Sequence, residues 1–187
     1  MKTSHDIIIA GFGGQGVLSL GLIIAYAAMK EEKEVSWMPS YGPEMRGGTA
    51  NCIVIVSDSR ISSPIVTNFD SAIVLNQPSI DKFANRVKAG GLLLCEQSGI
   101  VNPSSRTDIE ILNVSAAEEA QKLQKKQVAN MVVLGAFLAR RPIVSMQNVL
   151  KALKEVLPER HHHLLPLNEK ALNVGRQLAS ELAHEVA

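Results

Sequence analysis

A β-branched run, Ile7-Ile8-Ile9-Ala10, meets a glycine cluster, Gly11-Phe12-Gly13-Gly14-Gln15-Gly16, after which residues 17–29 continue apolar and without one charged side chain. That order restricts the fold more than any other feature of the chain. A G-x-G-x-x-G turn directly after a buried strand and directly before a helix is the opening of a β-loop-α unit whose helix packs back on its own sheet. The helix should end in the polar stretch Lys30-Glu31-Glu32-Lys33, and residues 34–38 then read as a second strand stopped by Pro39.

Three readings of the glycine turn stay open on sequence. Glycines permit positive φ and close backbone approach, and the free N–H groups at a helix start point toward a phosphate or carboxylate, so an anion or a partner chain is one candidate occupant. A purely structural tight turn is the second. The third is a dinucleotide site, which needs an acidic residue about 20 positions downstream, at the end of the second strand. That end is Trp37-Met38-Pro39, and Glu34 stands at the strand's beginning.

Residues 50–56 and 60–66 flank the polar Ser57-Asp58-Ser59 and read as a β-hairpin, which makes the expected sheet mixed. Short buried strands are expected at 72–75, 92–95 and 109–114, with a helix at 78–88. From Ser115 the pattern is helical, at 116–126, 131–139, 145–156 and 169–186. Asn130 and Asn168 are expected N-caps, and Leu172, Leu178, Leu182 and Val186 recur near helical spacing. No repeat or linker divides the chain, so residues 1–187 are expected to form one domain: a three-layer α/β/α, Rossmann-like fold with a mixed, mainly parallel sheet and a helical C-terminal part.

Between the second strand and the expected hairpin runs Pro39-Ser40-Tyr41-Gly42-Pro43-Glu44-Met45-Arg46-Gly47-Gly48-Thr49. Arg46 can offer a planar fork to a carboxylate or phosphate, on a ligand or on a partner. The plainer alternative is an internal Glu44–Arg46 pair in a surface turn. If the first two strands are parallel neighbours, this loop and the glycine loop share one crevice. The candidate contacts to an anion, coenzyme A or a partner chain are therefore Gly11, Gly13, Gly14, Gln15, Gly16, Tyr41, Glu44, Arg46, Gly47, Gly48 and Thr49.

Composition excludes more than it identifies. The 19 Lys and Arg against 18 Asp and Glu give a net charge of +1, too little to draw in nucleic acid or an anionic membrane. No charge-free run approaches the ~20 residues of a membrane span, and the first six residues do not resemble a signal segment, so a cytoplasmic chain is expected. Cys52 and Cys95 are too few and too far apart for a zinc site or an iron–sulfur cluster and are read as buried thiols. His161-His162-His163, between Pro158 and Pro166, suggests an exposed connection rather than a metal site. Cys95-Glu96 and Asp70 assemble no nucleophile or acid–base pair by spacing.

Taken together, Gly13-Gly14-Gln15-Gly16-Val17, Tyr41-Gly42-Pro43-Glu44-Met45-Arg46-Gly47-Gly48 and Thr49-Ala50-Asn51-Cys52 resemble the gamma subunits, or gamma domains, of thiamine-diphosphate-dependent 2-oxoacid:ferredoxin oxidoreductases. The likeness continues through Ser63-Pro64-Ile65-Val66, Asn130-Met131-Val132-Val133-Leu134-Gly135-Ala136 and the closing helix from Asn168. The wording of residues 46–52 looks most like the 2-oxoglutarate type. The resemblance implies oxidative decarboxylation of a 2-oxoacid with coenzyme A and ferredoxin, performed by an assembly with alpha, beta and ferredoxin-like delta subunits. It further implies that thiamine diphosphate, magnesium and iron–sulfur clusters are held on other chains, and that an isolated gamma chain can pair with itself as a homodimer. An independent dinucleotide-binding oxidoreductase is the competing expectation.

Overall fold

In a computed structural model that describes residues 4–41 and 48–184, the chain is a single six-stranded sheet with helices on both faces. The strands are β1 (Ser4–Phe12), β2 (Glu34–Tyr41), β3 (Thr49–Ser57), β4 (Phe69–Val74), β5 (Val87–Glu96) and β6 (Glu110–Val114). The helices are α1 (Val17–Met29), α2 (Gln77–Phe83), α3 (Ala116–Lys122), α4 (Ala129–Arg140), α5 (Met146–Val156) and α6 (Leu165–His184). None is long and apolar enough to cross a membrane among the described residues.

The strand order is β2-β3-β1-β4-β5-β6. β1, β4, β5 and β6 pair in parallel, while β3 runs antiparallel to both of its neighbours, β1 and β2. The hairpin expected at 50–56 and 60–66 is therefore a correction: β3 pairs with β2 instead, and residues 60–66 form no strand. Pro64 cannot donate to a ladder, and both edges of β3 are already occupied. Pro39, expected to stop β2, sits inside it, which an edge strand tolerates because one side of its backbone has no neighbour.

Other boundaries shift for local reasons. The expected helix at 78–88 is α2 followed by a 3₁₀ turn, and Val87 already starts β5. The expected caps Asn130 and Asn168 lie inside the first turns of α4 and α6. Val128 is the N-cap of α4 and α6 begins at Leu165, so the Asn168 amide donates instead to the Leu164 carbonyl at 2.8 Å. His161-His162-His163 lie in a 3₁₀ segment, where His162 meets the Leu157 carbonyl at 2.9 Å.

Alternation along the strands divides the core. Ile7 and Ile9 face α1, α4, α5 and α6, whereas Ile8 and Ala10 face the smaller cluster under α2, with Phe69, Val74, Ile80 and Phe83. The α2 layer packs on β4 and β1, and Ile53 of β3 reaches the edge of its cluster. The thick layer is closed where α4 and α6 cross with their backbones nearly touching: a Cβ on Gly135 would lie 1.9 Å from the Leu172 carbonyl oxygen, and one on Gly175 1.9 Å from that of Val132. Either position changed to Ala should cost about 1–3 kcal/mol, lowering the thermal midpoint by a few degrees per kcal/mol. A melting curve unchanged in both variants would refute the close crossing.

Two side chains tie the sheet's amino end and its flanking loop to solvent pH. Burial pushes the His5 imidazole below its ordinary value, outweighing Asp70 and Asp6, which raise it, and assisted by Arg141 and Lys88. Burial also disfavours the charged Glu31 carboxylate, yet the Ser145 N–H at 2.6 Å and hydrogen bonds from Ser145, Asn148 and Lys33 prevail and bring it down to about 2. Both groups bind protons more readily in the unfolded chain, so stability should decrease with acid. The His5 contribution is complete above pH 6.5 and falls below it, and that of Glu31 is complete above pH 4.5 and lost toward pH 2. Urea midpoints measured against pH should show the lower step flattened in Glu31→Gln and the upper one in His5→Gln; an unaltered profile in both would exclude these assignments.

Candidate functional site

The glycine turn is fixed from both ends. Gly16, at φ +79°, is the N-cap of α1 and supplies a left-handed conformation that an L side chain resists, and Gly14 stands at φ +96°. Gln15 between them is exposed, yet its amide is bonded at both ends. Its Oε1 accepts the Phe12 N–H at 2.6 Å and its Nε2 donates to the Leu75 carbonyl at 3.2 Å, tying the carboxyl end of β1 to that of β4. Gly11 keeps that side chain's path open, since a Cβ there would lie 2.6 Å from Gln15 Oε1.

Sequence logic made β1 and β2 parallel neighbours; in the fold β3 lies between them. Gly48 and Thr49, which follow residues 42–47, nevertheless meet the glycine turn, because β3 runs the other way and begins where β1 ends. Thr49 pairs with Phe12, and the Gly13 N–H donates to the Gly48 carbonyl at 2.9 Å. Tyr41 closes β2 opposite Ala50, and Thr49 is exposed. Glu44, Arg46 and Gly47, with Gly42, Pro43 and Met45, lie outside the described residues.

The strand order reverses between β1 and β4, the position where open α/β sheets place a ligand crevice beyond their carboxyl ends. Here that crevice is a cleft of about 240 Å³ bounded by Gly14, Gln15, Leu75, Glu96, Lys126 and Asn130. Asn130, on the first turn of α4, packs against the glycine turn so closely that a Cβ on Gly16 would lie 2.4 Å from its Nδ2. Glu96, at the end of β5, is buried and accepts hydrogen bonds from Ser98 Oγ (2.5 Å), Gly99 N–H (3.0 Å) and Ala117 N–H (3.1 Å), so its carboxylate caps the start of α3. Sequence spacing revealed neither role, because each depends on a partner from a distant strand or helix.

These residues fit a dinucleotide poorly. The Gln15 amide is already bonded to the Phe12 N–H and the Leu75 carbonyl, Glu96 sets a carboxylate in the cleft, and Glu34 lies at the far end of β2, paired with Ser57. The cysteines do not fit an iron–sulfur cluster: Cys52 is buried in the helix-side core and Cys95 in the cluster under α2, and burial pushes both thiols up to about 12. A larger groove of about 410 Å³ lies at the amino end of β1. Its Lys88 is already paired with Asp6 at 2.9 Å and Asp70 at 2.8 Å.

Replacing Gly16 with Ala imposes a positive φ and a clash, together costing about 1–3 kcal/mol, and adding Asn130→Ala should recover only the clash. A double-mutant cycle by urea denaturation measures the difference; strict additivity would show that Asn130 does not press on the turn.

Comparison with known proteins agrees with this architecture. Residues 6–178 match the family model of pyruvate ferredoxin/flavodoxin oxidoreductase. The chain is 46% identical over 131 residues to the ketoisovalerate oxidoreductase subunit VorA of Methanothermobacter thermautotrophicus, a match spanning 70% of this chain and 27% of that protein. It is 31% identical over 185 residues to the 2-oxoglutarate synthase subunit KorC of Methanocaldococcus jannaschii, covering 97% of each. The crystal structure of a keto/oxoacid ferredoxin oxidoreductase gamma subunit from Geobacter sulfurreducens PCA superposes with a TM-score of 0.78 at 31% identity, covering 95% of this chain and 99% of that one. The chain belongs to the pyruvate ferredoxin/flavodoxin oxidoreductase family.

Proposed function

We propose that this chain is the gamma subunit of a 2-oxoacid:ferredoxin oxidoreductase, an assembly that converts a 2-oxoacid and coenzyme A to an acyl-CoA and carbon dioxide and passes the electrons to ferredoxin. The observation that carries this reading is likeness along 97% of the KorC subunit and 99% of the Geobacter gamma subunit. Thiamine diphosphate, magnesium and the iron–sulfur clusters belong, in this reading, to the alpha, beta and delta chains. The gamma chain then contributes surfaces, not redox groups. Its working end is the carboxyl end of the sheet, where Gly11, Gly13, Gly14, Gln15 and Gly16 adjoin Gly48 and Thr49. Arg46, in the segment between Tyr41 and Gly48 that also holds Glu44 and Gly47, is the residue assigned to a carboxylate or phosphate of a companion subunit or of coenzyme A.

The 2-oxoacid is 2-oxoglutarate on the strength of the full-length KorC relatives. The higher identity to VorA favours a second reading, a branched 2-oxoacid such as ketoisovalerate. Purifying the chain with its companion subunits and assaying 2-oxoglutarate, ketoisovalerate and pyruvate with ferredoxin or a viologen dye decides between them; 2-oxoglutarate should give the highest kcat/KM. In that complex Arg46→Ala should reduce assembly or raise the KM for coenzyme A about tenfold or more, the loss expected for a charge-assisted contact of ~1.5–3 kcal/mol. Unchanged assembly, coenzyme A dependence and turnover would remove Arg46 from the working surface. Saturable NAD, NADP or FAD binding by the chain alone would overturn the whole reading.

A further inference from the structure

Two helices of this protein, α1 and α4, are nearly free of charge: α1 has none and α4 only Arg140, in its last turn. For α4 the reason is visible. It is flanked by α3 and α6, and residues 131–138 are all buried. Apart from Pro166, the exposed described positions of α5 and α6 are, by contrast, charged or polar, among them Lys151, Lys154 and Glu155 on α5, and Glu169, Lys170 and Arg176 on α6. In this protein a charge-free helix goes with enclosure, and α1 is the exception.

One side of α1 is packed on the sheet and on α5, but its outer side is open. That side carries Leu18, Leu22, Tyr26 and Met29, spaced four, four and three residues apart, so they form one stripe. Leu18 and Leu22 are half-buried, whereas Tyr26 is 38% and Met29 60% exposed. Ser19, at the edge of the stripe, is the one exposed small polar residue of α1, and a helix so nearly apolar all round belongs inside a larger body. Tyr and Met are also residue types enriched where protein surfaces become permanently covered.

We infer that this stripe is a docking face for a companion subunit of the same oxidoreductase, an inference that rests on the gamma-subunit reading above. Two observations favour a companion subunit over a second copy of this chain. The stripe starts at the first turn of α1, beside the glycine turn whose Gly13 is bonded to Gly48, so a partner seated on the sheet's carboxyl end continues along α1 without a break. In the VorA relative the matched unit is 27% of the length, so there it is continuous with further chain. The complementary surface is apolar at its centre, with one acceptor for the Tyr26 hydroxyl, and polar where it meets Lys30, which is already paired with Glu155.

The test uses the chain purified alone and in complex with its companion subunits. Oxidative footprinting should find Met29 modified at least fivefold more slowly in the complex. Tyr26→Glu with Met29→Glu should leave the free chain's circular dichroism intact and reduce recovered complex at least tenfold, while Tyr26→Phe with Met29→Leu should assemble normally. A complex that forms with Met29 as oxidisable as in the free chain overturns the inference alone. So does a free chain that is dimeric by light scattering and becomes monomeric on Met29→Glu, since a second copy then covers the stripe. A wild-type chain that joins no companion subunit overturns the functional reading together with this one.

Discussion

The reversal of one strand organises this protein. β1 and β2 point the same way and are joined through α1, and with nothing between them they would pair directly. β3 instead inserts between them, antiparallel to both, so the chain leaving β2 re-enters the sheet at the end where β1 stops. The meeting of Gly13 and Gly48 follows from that insertion. Three parallel strands on the other side, β4, β5 and β6, then supply the crevice walls, Leu75 and Glu96 among them.

The glycine turn shows how a familiar spacing can serve a different end. In a dinucleotide site the glycines clear room for a pyrophosphate. In this chain Gln15 reaches into the space and spends both ends of its amide on backbone groups of neighbouring strands, while Asn130 closes the turn from the helix side. Gln15 and Asn130 thus fasten the turn to its own protein.

Much of this was legible from local chemistry. The opening β-loop-α unit, most of the buried strands and the helical second half follow from β-branched runs, glycine position and helical spacing, all of which act within a few residues. The failures share one cause. Residues 60–66 have a strand's composition, but whether a segment joins a sheet depends on which edges are free, and β2 had already taken that of β3. Asn130 and Asn168 have the chemistry of caps, yet tertiary packing extended α4 and α6 past them. Glu96 and Gln15 act on partners 21 and 60 residues away, a distance no local pattern spans.

The crossing of α4 and α6 restricts how this family member can change over generations. Gly135 rests against Leu172 and Gly175 against Val132, so each helix reserves a notch for the other's main chain. A single substitution at either notch separates both at once, and the second site cannot compensate, since glycine is already the smallest residue. The pair acts as a latch: side chains on the charged outer side of α6 can be exchanged without touching the seam, whereas bulk added along it parts the two helices.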